Sequence, residues 1–221
     1  MAAVIPIQNE PLTKEHYIIA DNIDVLTQVY DENINLVVYK RKVPVKISQY
    51  AHKLLKLEKS FLINQIIELN NVELKLKSVL PDDDCRDLFI DDLYTISEMF
   101  AVLFDLDKIG FRLSVLEHAM CPRFHVDKVI CRLLTTYGDT GTEWLSENNL
   151  DRNKLGRGNN GLSDEMSEIY CDEDQVQRIS PYDIALFKGE SWPNNTGQGI
   201  VHRSPKVDKT NPRLLLSLDI V

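Results

Sequence analysis

The sequence has few cysteines, no long apolar run and no basic segment. Its cysteines are scattered and form no C-x-x-C pair, which argues against a disulfide framework and against a zinc knuckle. No apolar stretch approaches the roughly 20 residues that a membrane-spanning helix needs. We therefore expect free thiols in a reducing compartment and no membrane partner. The cysteines are Cys85, Cys121, Cys131 and Cys171.

Positive charge is also scarce. The 25 Lys and Arg residues face 34 Asp and Glu residues, and the net charge is −9 over 221 residues. A chain of this charge lacks the basic footprint of a nucleic-acid-binding protein. The N-terminus has neither the basic start nor the apolar core of a signal peptide, so we expect a cytoplasmic protein.

The first half of the chain contains helix and strand patterns. Apolar residues at helical spacing predict a helix from about Asp87 to Asp107, and a second from Ile47 to about Leu69. A run of β-formers predicts a strand between Asn35 and Val43. We expect residues 1–107 to form an extension that packs on the second half of the chain.

The second half, residues 108–221, contains short strands separated by turn signals. This pattern, without helices between the strands, favours an antiparallel sandwich or barrel. Residues 146–180 are the exception, because they are rich in Asn, Gly and acidic residues, and we expect them to form a lid-like insertion. The predicted strands are Phe111–Leu116, Val129–Tyr137, Tyr182–Lys188, Gly199–His202 and Arg213–Val221.

One segment, Cys-Pro-Arg-Phe-His-Val-Asp, carries candidate metal ligands. In an extended backbone His125 and Asp127 point the same way and present an imidazole and a carboxylate on one face. Alone, the pair is unspecific, since an N-cap or a surface hydrogen-bonded pair has the same pattern. Its context is more informative: His202 lies in a later strand, and Arg213 begins the last apolar strand.

This order of residues resembles that of the 2-oxoglutarate and Fe(II)-dependent dioxygenases. The resemblance implies an α+β, mainly β chain with a double-stranded β-helix (jelly-roll, cupin-like) core and N-terminal supporting helices. It implies that His125, Asp127 and His202 bind Fe(II), which leaves positions open for co-substrate and O2. It also implies that Arg213 binds the distal carboxylate of 2-oxoglutarate, a task suited to a guanidinium.

Strand alternation adds two candidate contacts to 2-oxoglutarate. A regular strand places Tyr137 on the face of the candidate ligands, and prolyl-hydroxylase-like members carry a comparable tyrosine. In the last strand Ser217 shares a face with Arg213. Many members instead have Ser or Thr two residues after the arginine, where this chain has Leu215. Arg132 falls on the opposite face and has a site role only if a bulge shifts the strand.

Four further residues are weaker candidates for the substrate pocket. Glu143 and Trp144 either line it or pack in the core, with equal support. Trp192 either covers the mouth of the barrel or lies in a surface loop. Arg123 adjoins the candidate ligands in sequence and adds positive charge near a dicarboxylate.

A closer resemblance covers most of the chain. The Cys-Pro-Arg-Phe-His-x-Asp motif and the later Thr-Glu-Trp-Leu of residues 142–145 are similar to an uncharacterised bacterial domain-of-unknown-function family. It implies no activity, and its members sometimes lie near zinc-homeostasis genes. Two alternatives to the oxygenase therefore stay open. One is a non-catalytic zinc-binding jelly-roll protein of metal homeostasis, and the other is a metal-dependent cupin enzyme that does not use 2-oxoglutarate.

Overall fold

A computed structural model describes residues 16–57 and 62–221. Within these ranges no helix is long and apolar enough to cross a membrane, and all four cysteines are free thiols. The helices are α1 (Val45–Leu55), α2 (Val72–Val79), α3 (Arg86–Phe104) and α4 (Asp164–Ser167). The strands are β1 (Tyr17–Ala20), β2 (Leu36–Tyr39), β3 (Leu62–Glu68), β4 (Lys108–Leu116), β5 (Cys131–Tyr137), β6 (Glu143–Trp144), β7 (Gln177–Arg178), β8 (Ile184–Lys188), β9 (His202–Arg203) and β10 (Arg213–Asp219).

The strands form a large and a small sheet. The large sheet has the order β1-β2-β8-β5-β10-β4-β3, and only β1 and β2 pair in parallel. The small sheet has the order β7-β6-β9, and a bridge between His125 and His202 extends it. From β4 onward the chain alternates between the two sheets, except that β6 and β7 follow one another in the small sheet. This alternation is the topology of a double-stranded β-helix, so the predicted α+β, sheet-rich fold class is confirmed.

The two faces of the large sheet pack against different layers. Because side chains alternate along a strand, the leucines of β10 at positions 214, 216 and 218 pack against α1 and α3. The residues between them face the small sheet, where Leu215 packs with Trp144 and Ile200. The helices thus cover one face of the sheet and leave the other to enclose a pocket.

One predicted helix is shorter than expected. The helix expected from Ile47 to Leu69 ends at Leu55, and β3 follows it and pairs with β4 at the edge of the large sheet. The segment contains Ile63, Ile66 and Ile67, whose β-branched side chains favour a strand once a partner strand is available. The helix expected from Asp87 to Asp107 is confirmed as α3.

The insertion at residues 146–180 packs on the outer face of the small sheet. Its Ile169 joins a separate apolar cluster with Phe124 and Val201. The buried Asp164, in α4, accepts the Phe124 N–H at 2.9 Å and a guanidinium N–H of Arg203 at 3.0 Å. Apolar residues of the segment thus pack it against the strand layer, and its role as a lid stays a prediction.

A largely buried ion pair joins α3 to the large sheet. Arg41 follows β2, and both of its terminal nitrogens donate hydrogen bonds to the Asp92 carboxylate. Its Nε donates to the Tyr182 carbonyl at 2.7 Å. The Tyr137 hydroxyl also donates to Asp92, at 2.5 Å. Burial, reinforced by Asp92, raises the pKa of Tyr137 well above its ordinary value. Tyr137 therefore stays a neutral hydrogen-bond donor.

We expect Asp92→Asn to lower the free energy of unfolding by about 3 kcal/mol, because it leaves the largely buried Arg41 without its carboxylate. Tyr137→Phe removes one hydrogen bond to that carboxylate and costs about 1.5 kcal/mol. Asp91→Asn makes the same chemical change at an exposed neighbour and is the control. Urea unfolding measures all three, and equal stability of Asp92→Asn and Asp91→Asn contradicts the assigned role.

Candidate metal centre and pocket

Three predicted ligands, His125, Asp127 and His202, lie together at the edge of the small sheet. Their ligand atoms are all within 4.8 Å of one another. His125 Nε2 lies 3.4 Å from Asp127 Oδ1, and His202 Nε2 lies 3.4 Å from Asp127 Oδ2. The backbone N–H of each histidine donates to the carbonyl of the other at 3.0 Å. This bridge holds the rings side by side at a spacing that allows one metal ion.

The two histidines are oriented by backbone carbonyls. His125 Nδ1 lies 2.9 Å from the Arg123 carbonyl, and His202 Nδ1 lies 3.1 Å from the Ile200 carbonyl. An Nδ1–H that donates to a carbonyl leaves the Nε2 lone pair for a metal, as is common for metal-binding histidines. The donor set and its orientation therefore fit a divalent cation.

Asp127 is held in its ionised form. Burial raises its pKa, but hydrogen bonds to both histidines and the charge of Arg132 outweigh burial and hold the pKa well below the usual range. For His125, burial lowers the pKa, and hydrogen bonds to Asp127 and to the Arg123 carbonyl outweigh it and raise the pKa. The centre thus presents a fixed negative charge at neutral pH.

Arg132 and Asp219 belong to this centre, although the sequence pattern places Arg132 on the opposite face. Arg132 donates to Asp127 Oδ2 at 2.5 Å and to both oxygens of Asp219 at 2.7 and 3.0 Å. The expected alternation fails because residues 128–130 form a bend and β5 begins only at Cys131. Because β5 has apolar residues on both faces, its hydrophobic pattern does not show which face points toward the metal centre.

Tyr137 lies on the other face of β5, and its predicted contact with 2-oxoglutarate is wrong. Its ring packs against Phe89 of α3, with 4.9 Å between the ring centroids, and its hydroxyl donates a hydrogen bond to Asp92. The same shift in register explains the error. Ser217 is buried and lines one pocket together with His125, His202 and Arg213.

Arg213 is a buried cation in this pocket. It is 2% exposed, its Nε donates to Thr136 Oγ1 at 3.0 Å, and a terminal nitrogen donates to Thr142 Oγ1 at 2.5 Å. No carboxylate in the described part of the chain lies within 4.0 Å of it. Burial lowers its pKa to about 10. The guanidinium is therefore still charged at neutral pH and suits a carboxylate ligand in a pocket that is partly open to solvent.

Glu143 does not line this pocket. It pairs with Arg203 at 2.7 Å and with Arg178 at 2.5 Å on the outer face of the small sheet. Arg203 also pairs with Asp164 and stacks on Phe124, with its central carbon 4.3 Å from the ring centre. Of the two alternatives for Glu143, the structure does not support the pocket role, since the residue joins Arg178 of the insertion to Arg203 of β9.

The other weak candidates also lie outside the pocket. Trp144 is buried between the sheets beside Tyr17. Arg123 is exposed and donates to the Gly161 carbonyl in the insertion at 3.3 Å. Trp192 is half-buried and packs on Phe104 of α3, on the helical side of the large sheet. Of the two alternatives for Trp144, the structure has core packing. Sequence proximity to the ligands does not fix which side of a layer a residue occupies.

The chain is similar in structure to several oxygenases of known structure. A rice dioxygenase for auxin oxidation matches with 11% identity and a TM-score of 0.47, over 85% of this chain and 73% of that one. A Pseudomonas putida prolyl-4-hydroxylase matches with 9% identity and a TM-score of 0.43, over 88% and 95%. A Burkholderia pseudomallei oxidoreductase of the 2OG-Fe(II) oxygenase family matches with 9% identity and a TM-score of 0.40, over 94% of both chains.

The sequence matches a protein family whose activity is not defined. None of the curated proteins matches the chain significantly. One family matches residues 20–219, nearly the whole length, and its description is "protein of unknown function". That description assigns no reaction, substrate or cofactor. The chain belongs to the DUF1826 family of proteins of unknown function.

Proposed function

We propose that the protein is an Fe(II)- and 2-oxoglutarate-dependent oxygenase of the hydroxylase type, with His125, Asp127 and His202 as iron ligands. One observation carries the proposal: the two ligand histidines and the buried Arg213 line the same pocket. Two imidazoles and one carboxylate suit Fe(II) that keeps positions open for co-substrate and O2. Structural zinc sites instead close their coordination with four protein ligands.

Arg213 would bind the distal carboxylate of 2-oxoglutarate. Its guanidinium is fixed by two threonine hydroxyls and buried without an anion among the described residues. A buried charge of this kind is costly unless a partner neutralises it. Ser217 is buried on the same strand face and supplies a hydroxyl for the same carboxylate. Leu215, between them, adds an apolar wall.

The residues of the chain bind, orient and shield. Bound iron, with 2-oxoglutarate and O2, would supply the oxidising chemistry. Arg132 holds the Asp127 carboxylate in place, and the backbone carbonyls fix the two imidazoles. The Phe187 ring packs against His202, with 4.9 Å between centroids, and excludes water from that side.

The alternatives make different use of the same pocket. A zinc-binding protein of metal homeostasis needs the three ligands but does not explain the buried Arg213. In a metal-dependent enzyme that does not use 2-oxoglutarate, the Arg213 guanidinium would likewise have no carboxylate to bind. The buried Arg213 therefore favours the oxygenase, and 2-oxoglutarate binding is the property that separates the three functions.

We expect 2-oxoglutarate to produce a weak visible charge-transfer band in the anaerobic Fe(II)-loaded protein. Arg213→Gln should weaken 2-oxoglutarate binding about 100-fold, roughly 3 kcal/mol, because it removes the buried charged partner. Fe(II) binding should persist, since no contact joins Arg213 to the ligands. Arg157→Gln removes an exposed arginine in the insertion and should behave as wild type.

The proposal is wrong if 2-oxoglutarate changes neither the spectrum nor the melting temperature of the wild-type protein. Tight Zn²⁺ binding, with no oxygen consumption under any co-substrate, would favour the metal-homeostasis alternative.

We expect His125→Ala to lower divalent-metal affinity by more than about 100-fold, because even residues that only support a ligand contribute 10- to 100-fold. His118→Ala removes an exposed histidine outside the cluster and should leave the affinity unchanged. Calorimetric titration with Mn²⁺ measures both variants. Equal Mn²⁺ affinity of the two variants rules out His125 as a ligand.

A further inference from the structure

We propose that Arg112 binds an anionic group of the primary substrate, a carboxylate or a phosphate, at the mouth of the pocket. The inference rests on the proposed oxygenase function, because it assumes that Arg213 takes the co-substrate. It adds a substrate class to that function.

Arg112 is placed by strand register. Its Cα pairs with that of Ser217 across β4 and β10. Directly opposed residues of neighbouring strands lie on the same face, so Arg112 is on the pocket face, one strand outward from Ser217. It lines the same pocket as Arg213 and the two ligand histidines. It is only partly buried, whereas Arg213 is fully enclosed.

The Arg112 guanidinium has no anionic partner in the described part of the chain. Its Nε makes one long contact, 3.5 Å, with the side-chain oxygen of Asn64 on β3. No carboxylate of a described residue lies within 4.0 Å of it. The contact with Asn64 restrains the side chain and leaves the two terminal nitrogens free. Two parallel N–H groups are the geometry that recognises a carboxylate or a phosphate.

The balance of charge gives a second argument. Asp127, Arg132 and Asp219 together carry one negative charge, and Arg213 carries one positive charge. A divalent metal and the dianionic 2-oxoglutarate cancel each other. These groups sum to zero, so the positive charge of Arg112 is left over. Apart from Asp127 and Asp219, which this balance includes, the described residues that line the pocket add no negative charge, although the whole chain has a net charge of −9.

Apolar side chains beside Arg112 would contact the remainder of such a substrate. Met120 lines the same pocket and is 44% exposed. Leu215 adds an apolar surface deeper in the pocket. Methionine adapts to ligands of different shape. The combination fits a small organic acid or phosphate ester whose carbon part lies between the mouth and the metal centre.

The test compares an anion with an uncharged molecule of the same shape. Benzoate, phenyl phosphate and benzamide are titrated calorimetrically into the Zn²⁺-loaded protein saturated with 2-oxoglutarate. We expect at least one anion to bind 10-fold or more tightly than benzamide. The tighter of the two anions identifies carboxylate or phosphate as the preferred group. Arg112→Gln should abolish the preference, and the charge-matched Arg157→Gln should retain it.

Three results overturn the proposal: no preference for anions in the wild-type protein, an unchanged preference in Arg112→Gln, or a loss of 2-oxoglutarate binding in Arg112→Gln. The last result assigns Arg112 to the co-substrate. If 2-oxoglutarate binds neither protein, the proposed oxygenase function fails, and the same titration in an Arg213→Gln background still tests Arg112. A preference that Arg112→Gln removes in that background supports the anion site alone.

Discussion

The ion pairs that Arg132 makes with Asp127 and Asp219 connect the candidate metal centre to the middle of the large sheet. Arg132 lies on β5 and Asp219 on β10, two adjacent central strands, whereas Asp127 lies in the segment that joins the small sheet. Removing one member would leave a partly buried charge unpaired, which is strongly destabilising. The pairing of β5 with β10 therefore fixes the position of the Asp127 carboxylate, although Asp127 itself lies outside a strand.

The opposite side of the centre is held by the insertion. Asp164 accepts the N–H of Phe124, the residue before His125, and pairs with Arg203, the residue after His202. One buried carboxylate thus fixes the backbone next to both histidines. Glu143 reinforces Arg203 from β6. The acidic residues of the insertion, which look like a solvated lid in the sequence, include the group that positions the ligand strands.

The sequence predicted those features that follow from spacing along one strand or from the order of motifs. The strand pattern and the order of His125, Asp127, His202 and Arg213 led to the fold class and to a cluster that the structure brings together. The errors at Tyr137 and Arg132 have a different origin. A bend of three residues reverses the alternation, and a one-residue slip exchanges the two faces of a strand. The partners Asp164 and Asp219 depend on tertiary packing that no local pattern encodes.

The antiparallel bridge between His125 and His202 has a consequence for assembly of the centre. Its two backbone hydrogen bonds, together with the carbonyls that orient the rings, arrange the ligands without help from a cation. Zinc fingers, in contrast, fold only when the ion binds, so their metal affinity includes the free energy of folding. At this candidate centre the backbone alone already places the three side chains. The binding energy of an ion would therefore not include the free energy of folding.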